Sequence, residues 1–282
     1  MIPILSDITD RIASISDTPA LDASVLIANI IDRSRTWVMA HPELILSNEQ
    51  QEQLEAALTQ LENGTPFPYV LGHWEFFGME FDITPDVLIP RPETELLVEK
   101  ALAWLQESKV RRTVADIGTG SGIIAISIAA NISNAKILAT DISPNALQVA
   151  LRNAHKFNLA DRINFVECDI LPPRPASLST EDRFDLLCAN LPYIPTETLH
   201  SLPVYGHEPT LALDGGPDGL DLFRKLMNVA PHWMAPNSLI LLEIEATLGV
   251  KALSLAYDMF SSAKIHLHKD LTGRDRILEI ML

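Results

Sequence analysis

The chain has 282 residues, 47% of them hydrophobic, and a formal net charge of −16; that length holds one large domain and a small one, and so acidic a balance argues against a partner gripped through phosphates by a basic face. No apolar run reaches the ~18–20 residues of a membrane helix, and the start, MIPILSDITDRI, lacks the basic region and cleavage site of a targeting peptide. Cys168 and Cys188 lie in apolar strand-like runs and are too few for a disulfide framework or zinc site, so both are expected as reduced core residues of a cytoplasmic monomer with no membrane and no direct nucleic-acid contact.

Residues 1–64 read as a small helical domain suited to recognising a substrate. Ser47-Asn-Glu-Gln50 has the spacing of a capping box, Leu54, Leu58 and Leu61 share the face that follows, and Gly64 supplies a stop. Leu21, Val25, Leu26, Ile30 and Ile31 form an apolar stripe upstream. Residues 65–90 read as a linker and a β-hairpin: TPFPY is a proline-broken connection, and GHWEFFGMEFDIT gives two short strands turning near Gly78. In VLIPRPETELLVEKAL, Pro92 stands at a first helical position with Glu93 and Glu95 in the first turn.

From residue 91 to 282 the pattern is that of an α/β domain. Strand-like runs fall at 113–117, 136–140, 163–167, 184–189, 238–244, 263–268 and 276–282, with helical stripes between most of them. Ser143-Pro144 is an N-cap and first-turn pair followed by Leu147, Leu151 and Ala154. This alternation predicts a doubly wound, mostly parallel sheet. LPPRPASLSTED, residues 171–182, has too many prolines for a crossover helix and reads as an exposed loop. The last two strands are joined too briefly for a parallel crossover, so one terminal strand must run antiparallel.

The candidate chemistry sits at strand ends. Asp116-x-Gly118-x-Gly120-x-Gly122 closes the first strand, where glycines let a ligand lie against backbone and a helix N-terminus favours an anion. Asp141 ends the second strand; a carboxylate accepts two hydrogen bonds and donates none, which suits ribose hydroxyls. It indicates a nucleoside-type cofactor without choosing between NAD and S-adenosylmethionine. Asp169, ending the third strand, is placed to accept from an adenine amino group.

The fourth strand ends in Asn190-Leu191-Pro192-Tyr193. Hydride transfer has no evident use for such a group, whereas methyl transfer to a planar amide or aromatic amine does. That nitrogen is sluggish because its lone pair is delocalised. The Asn190 side-chain carbonyl and the Leu191 backbone carbonyl would each accept one N–H, aligning the nitrogen and meeting its developing charge with fixed dipoles. The Tyr193 ring would pack against the flat acceptor. Of the eight histidines, His266 and His268 read as one facing in and one out of a strand, and His207-Glu208-Pro209 as scaffolding for the acceptor loop.

These residues resemble class I S-adenosylmethionine-dependent methyltransferases of the N-P-P-Y group, and more closely the HemK/PrmC family of protein-(glutamine-N5) methyltransferases acting on peptide chain release factors. The resemblance runs through SRTWVMAHPE, PYVLGHWEFFGMEFDITPDVLIPRPETELLVE, DIGTGSG, EPTLALDGGPDGLDLF and LTGRDRILEI. It implies a substrate glutamine in a Gly-Gly-Gln loop, with Gly118, Thr119, Gly120, Ser121 and Gly122 lining the cofactor and Asp141 on its ribose. It also places Ile170 beside the adenine and Arg91 and Glu93 where the bridge meets the cleft. Leu191 departs from the usual Pro-Pro; the backbone carbonyl survives that change, and Pro192 still restrains its predecessor.

Four rivals share part of this pattern. A ribosomal-protein glutamine methyltransferase has the same chemistry. An rRNA adenine methyltransferase shares N-L-P-Y but lacks the RPETE bridge. A nicotinamide dehydrogenase shares the glycine loop and Asp141 and leaves Asn190–Tyr193 unexplained. A non-catalytic binding module is favoured only by Leu191.

Overall fold

The computed structural model describes residues 3–108, 110–173 and 183–282. The chain divides into two compact units, Met1–His73 and Trp74–Leu282. None of the described helices is long and apolar enough to cross a membrane.

The first unit is helical: α1 (Pro3–Ile12), α2 (Pro19–Ile30), α3 (Arg35–Ala40), α4 (Asn48–Glu62) and α5 (Phe67–Leu71). The capping box forms as read. Ser47 Oγ accepts from Gln50 N at 3.2 Å, and Gln50 Oε1 accepts from Ser47 N at 3.0 Å, an arrangement that stabilises a helix start by about 1 kcal/mol. Leu54, Leu58 and Leu61 are buried. The stripe expected on α2 is corrected: Leu21 is exposed, and the buried face is Ala23, Ser24, Leu26, Ile27 and Ala28. Leu26 and Ile27 supply the apolar bulk of that face, and Ala23, Ser24 and Ala28 let neighbouring backbone approach closely. TPFPY is likewise not an irregular linker. It leads into α5, with prolines at the N-cap and in the first turn and Gly72 closing the helix at φ +79; first-turn N–H groups have no intrahelical partner, so proline loses nothing there.

The second unit opens with the hairpin β1 (His73–Phe76) and β2 (Met79–Asp82). Phe77 and Gly78 both take positive φ in its turn, +52 and +69, as a two-residue hairpin turn of this hand requires. Glu95 holds Phe77 there, accepting from its N–H at 2.8 Å. Helix α6 (Thr94–Gln106) starts two residues after the expected position, leaving Pro92 and Glu93 ahead of it and Glu95 in the first turn.

The rest is β3 (Thr113–Ile117), α7 (Ile123–Asn131), β4 (Lys136–Asp141), α8 (Pro144–Lys156), β5 (Ile163–Glu167), β6 (Phe184–Ala189), α9 (Thr196–Leu199), α10 (Asp221–Val229), β7 (Met234–Glu243), α11 (Gly249–Met259), β8 (Lys264–Lys269) and β9 (Asp275–Met281). The strands form one seven-stranded sheet in the order β5-β4-β3-β6-β7-β9-β8. β3 pairs in parallel with both β4 and β6, and only β9 runs antiparallel to its neighbours. Strand order reverses at β3, which opens a crevice beyond the carboxyl ends of β3 and β6.

Two further readings are corrected. β7 begins at Met234, four residues early, because a register shift beside Phe184 lets the strand carry Pro236 and a positive-φ Asn237. His266 and His268 share one face of β8, as residues two apart in a strand must; their rings lie 6.3 Å apart, and His268 contacts Glu279 at 3.0 Å. Of the proline-rich segment, residues 174–182 lie outside the described residues.

Candidate active site

The glycine turn after β3 is shaped by Asp116. Its carboxylate is fully buried, and Oδ2 accepts from Thr119 Oγ1 at 2.6 Å and from Ala125 N at 3.0 Å, tying the turn to the first turn of α7. Burial pushes this carboxyl up to about 6, against those two hydrogen bonds. Gly118, at φ +69, leaves room for Leu191, whose Cδ2 would lie 3.1 Å from any added Cβ. Gly122, at φ +85, lets α7 and α8 close: an added Cβ would meet Ala150 at 3.2 Å. Asn153, wholly buried on α8, then ties three pieces together. It accepts from Asp82 N at 2.8 Å and donates to Asp82 O at 3.0 Å and Ser121 O at 2.9 Å.

Asp141 stands across the turn at the end of β4. Its two oxygens accept from Gly120 N and Ser143 N, each at 2.9 Å, and burial raises its pKa. Gly118, Thr119, Gly120, Ser121, Asp141, Asp169, Ile170 and Asn190 to Pro192 all line one cleft. Ile170 is buried at φ +70, its carbonyl taking the Thr140 hydroxyl at 2.7 Å. Asp169 is paired with Lys225 of α10, so the acid expected on an adenine amino group already has a cation. Gly122 is not among the cleft-lining residues; it acts through helix packing. Cys188 is buried as expected, whereas Cys168 is only half-buried at the cleft wall, because β5 ends one residue before it.

Asn190 follows β6 directly. Its Nδ2 donates to Thr94 Oγ1 at 3.1 Å, while Oδ1 has no hydrogen-bond partner among the described residues. Leu191 is 4% exposed and packs into the apolar core under the sheet, so an anchored side chain supplies stiffness where the family pattern has its first proline. No loop N–H among the described residues takes the Leu191 carbonyl. Tyr193 is not among the cleft-lining residues; its hydroxyl reaches Glu243 Oε1 at 3.4 Å, and burial followed by Glu243's charge raises its pKa.

The acceptor loop is zipped to residues 213–216. Ile194 N donates to Leu213 O at 3.0 Å, Gly215 N to Ile194 O at 2.8 Å and Thr196 N to Gly216 O at 3.0 Å. The Tyr193 backbone presses so close on Gly215 and Gly219 that an added Cβ would come within 2.7 Å and 2.4 Å of it. Glu208, only 5% exposed in its side chain, accepts from Ile89 N at 3.1 Å and from Arg91 Nη2 at 2.5 Å. Glu208 thus ties its segment to Ile89 and to Arg91 of the RPETE segment, and the hydrogen bonds that hold the acceptor loop come from residues 213–216 instead. Glu93 is placed just ahead of α6.

Asn153, Thr94 and Glu243 escaped the reading of the sequence. An asparagine on the apolar face of α8 and a glutamate ending an otherwise apolar strand were the available signals.

Residues 4–72 match the PrmC N-terminal domain, and residues 108–229 match a methyltransferase domain. The chain is 40% identical over 261 residues to a release factor glutamine methyltransferase of Moorella thermoacetica, covering 92% of this chain and 90% of that one. It is 35% identical over 275 residues to a release factor glutamine methyltransferase of Coxiella burnetii, covering 96% and 95%. The chain belongs to the release factor glutamine methyltransferase family. Its sheet has the class I methyltransferase fold of that family. The Thermus thermophilus 16S rRNA N2 G1207 methyltransferase, solved with AdoMet and guanosine, shares this fold at a TM-score of 0.50 and 18% identity, over 74% of this chain and 49% of that one.

The cleft suits the methyl donor of such an enzyme. Asp141 offers acceptor lone pairs, and a Cβ added at Gly120 would meet nothing within 4 Å, so the turn leaves open space there.

Proposed function

We propose that the chain transfers a methyl group from S-adenosylmethionine to the side-chain amide nitrogen of the glutamine in the Gly-Gly-Gln loop of peptide chain release factors. The observation that carries this reading is the hydrogen bond from Asn190 Nδ2 to Thr94, which commits the NH₂ end of the side chain inward. The Asn190 carbonyl is thereby left for a substrate N–H, beside the Leu191 carbonyl, which has no backbone partner among the described residues. Family membership at 40% identity supports the substrate class.

When bound, S-adenosylmethionine supplies an electrophilic methyl on a sulfonium. Asp141 would hold the ribose hydroxyls, the turn Gly118–Gly122 would lie against the amino-acid portion, and Ile170 would cover one face of the adenine. Asn190 Oδ1 and Leu191 O would each accept one hydrogen of the glutamine NH₂, fixing its plane and turning the nitrogen toward the methyl carbon. As the nitrogen gains positive charge, both dipoles stabilise it without reorganising. The nitrogen's spare proton then leaves to water, because an N-methylated amide cation is strongly acidic; no side-chain base is needed. Pro192 stiffens the loop, and Tyr193, tethered by its hydroxyl to Glu243, anchors the loop from behind the cleft. The helical residues 1–64, within the segment that matches the PrmC N-terminal domain, are proposed to engage the release factor.

The test is to incubate the protein with S-adenosylmethionine and release factors, then map methylation by peptide mass spectrometry. One methyl on the Gly-Gly-Gln glutamine is expected. Methylation of a ribosomal-protein glutamine or of an RNA adenine instead would overturn the assignment.

A further inference from the structure

Asn153 stands on the buried face of α8 among Ala146, Val149, Ala150 and Ala154, a polar side chain shut away from water. A primary amide has an oxygen to accept with and two hydrogens to donate, and this one uses all three. Oδ1 accepts from Asp82 N at 2.8 Å, and Nδ2 donates to Asp82 O at 3.0 Å, so the side chain meets the end of β2 as a neighbouring strand would. Nδ2 also donates to Ser121 O at 2.9 Å, in the glycine turn. No backbone N–H among the described residues takes that carbonyl.

The hairpin end of this link is fastened to α8 by other means as well. Lys156, three residues on, pairs with Glu80 at 3.2 Å and with Asp82 at 2.8 Å, and the Phe81 ring lies 5.2 Å from that of Phe157. On its β4 side the turn is held by Asp141, which takes Gly120 N at 2.9 Å, and by Thr140 O, which takes Thr119 N at 2.9 Å. Ser121 follows these residues and lines the cleft.

We propose that Asn153 is a positioning residue for the methyl donor: it keeps the Ser121 carbonyl turned away from the cleft, so that this part of the turn can receive the amino-acid end of S-adenosylmethionine. This rests on the turn lying against that end of the donor, as the proposed reaction has it.

The peptide after Ser121 leads into Gly122, which takes φ +85 and, as glycine, reaches other backbone angles at little steric cost. A buried carbonyl without a partner is unfavourable compared with one that reaches water or a ligand. If Asn153 could not donate, that peptide would gain by rotating its oxygen into the cleft. There it would face the donor's α-carboxylate, acceptor against acceptor. The rotation would also break the bond from Gly122 N to Thr119 O, 2.8 Å long, which makes it observable. The nucleoside end of the donor would rest on Asp141 and Ile170, to which Asn153 makes no hydrogen bond. The effect therefore falls on one end of the donor.

Two ligands separate the ends: S-adenosylhomocysteine carries the amino-acid portion and methylthioadenosine lacks it. Asn153→Asp keeps the shape and, ionised, only accepts; Asn153→Leu does neither. By calorimetry each variant should bind S-adenosylhomocysteine roughly 10-fold more weakly and methylthioadenosine as the wild type does. The KM for S-adenosylmethionine should rise while the KM for the release factor holds. Equal losses for both ligands would make Asn153 a support of the fold alone, and that result, like no loss at all, overturns the proposal.

The second readout needs no ligand. Amide hydrogen exchange should accelerate at both Gly122 and Asp82 in Asn153→Leu, and chiefly at Gly122 in Asn153→Asp, which still accepts from Asp82 N. Unchanged protection at Gly122 refutes the proposal. Should neither variant fold, as judged by circular dichroism, the wild type decides: its Asn153 side-chain amide signals in the ¹⁵N spectrum should shift with S-adenosylhomocysteine and stay with methylthioadenosine, and equal shifts refute the assignment. If the release factor stays unmethylated, the proposed reaction falls while the two-ligand comparison still decides the role of Asn153. If the wild type binds neither ligand, exchange at Gly122 alone decides whether Asn153 holds the turn.

Discussion

Gly215 gives the most direct test of how tightly the acceptor loop is held. A Cβ added there would sit 2.7 Å from Tyr193 Cα, 2.8 Å from Tyr193 C and 2.9 Å from Gly219 Cα. Carbon atoms settle at ~3.5–4.0 Å, so Gly215→Ala must part the two segments by roughly 1 Å. Every contact is to backbone, with no flexible side chain to swing aside. The hydrogen bonds Gly215 N to Ile194 O and Ile194 N to Leu213 O, at 2.8 and 3.0 Å, oppose the separation. The displacement therefore passes along Tyr193 and Pro192 to Leu191 and Asn190. A misplacement of about 1 Å at a reacting centre costs on the order of 10² in rate. The expected kcat loss is ~10- to 100-fold, with overpacking lowering stability by about 1–3 kcal/mol. S-adenosylmethionine affinity, measured by calorimetry, should hold, because the glycine turn and Asp141 form the other wall. A folded Gly215→Ala protein, checked by circular dichroism, that methylates release factor at the wild-type rate would refute this account of the loop.

Further substitutions probe the remaining parts. Asn190→Ala should lower turnover by at least ~10² while S-adenosylmethionine still binds; a wild-type rate would place the acceptor's partner elsewhere. Asp141→Ala should chiefly weaken cofactor binding in a calorimetric titration, and unchanged affinity would remove it from the ribose. Arg91→Ala leaves the Glu208 carboxylate with Ile89 N–H alone. Breaking a buried pair can cost ~3–5 kcal/mol, reduced here to about 1–3 because Arg91 is 33% exposed; Glu208→Gln in that background should restore part of the urea midpoint. Glu243 is raised from 4.5 to about 7 in the folded protein, so the native state holds its proton longer than the unfolded chain. Its contribution is thus most favourable below pH 4.5 and is lost as pH rises to about 7, a change of about 3 kcal/mol. Glu243→Gln should therefore melt higher than the wild type at pH 8 and alike near pH 4; the opposite order would show the carboxylate to be stabilising.

The sheet was legible because its strands are short apolar runs punctuated by glycine, proline and acids, and six of the seven begin and end within a residue of where that pattern does. β7 was the exception, since Pro236 and Asn237 hide a strand that a register shift allows to continue. The glycine turn, Asp141 and Asn190 to Pro192 announce themselves by position at strand ends, and the cleft gathers them. What supports them could not be read from spacing. Thr94 and Asn190 are 96 residues apart, Arg91 and Glu208 117. Only the folded sheet makes them neighbours, and no local pattern encodes a partner across such a separation. Leu191 and α2 carry the same lesson on packing: a side chain's value there depends on the shape it fills, which hydropathy does not record.

β9 has a temporal consequence. It lies between β7 and β8, with Ile277 opposite Glu243 and Arg276 beside it in the chain, and β8 joins the sheet only through it. During vectorial synthesis the strand at 264–269 emerges with nothing to pair against, and the acid behind the acceptor loop waits for its neighbouring cation. A chain that ends before residue 275 therefore carries β8 with no strand to join it to the sheet and leaves the edge of β7 open.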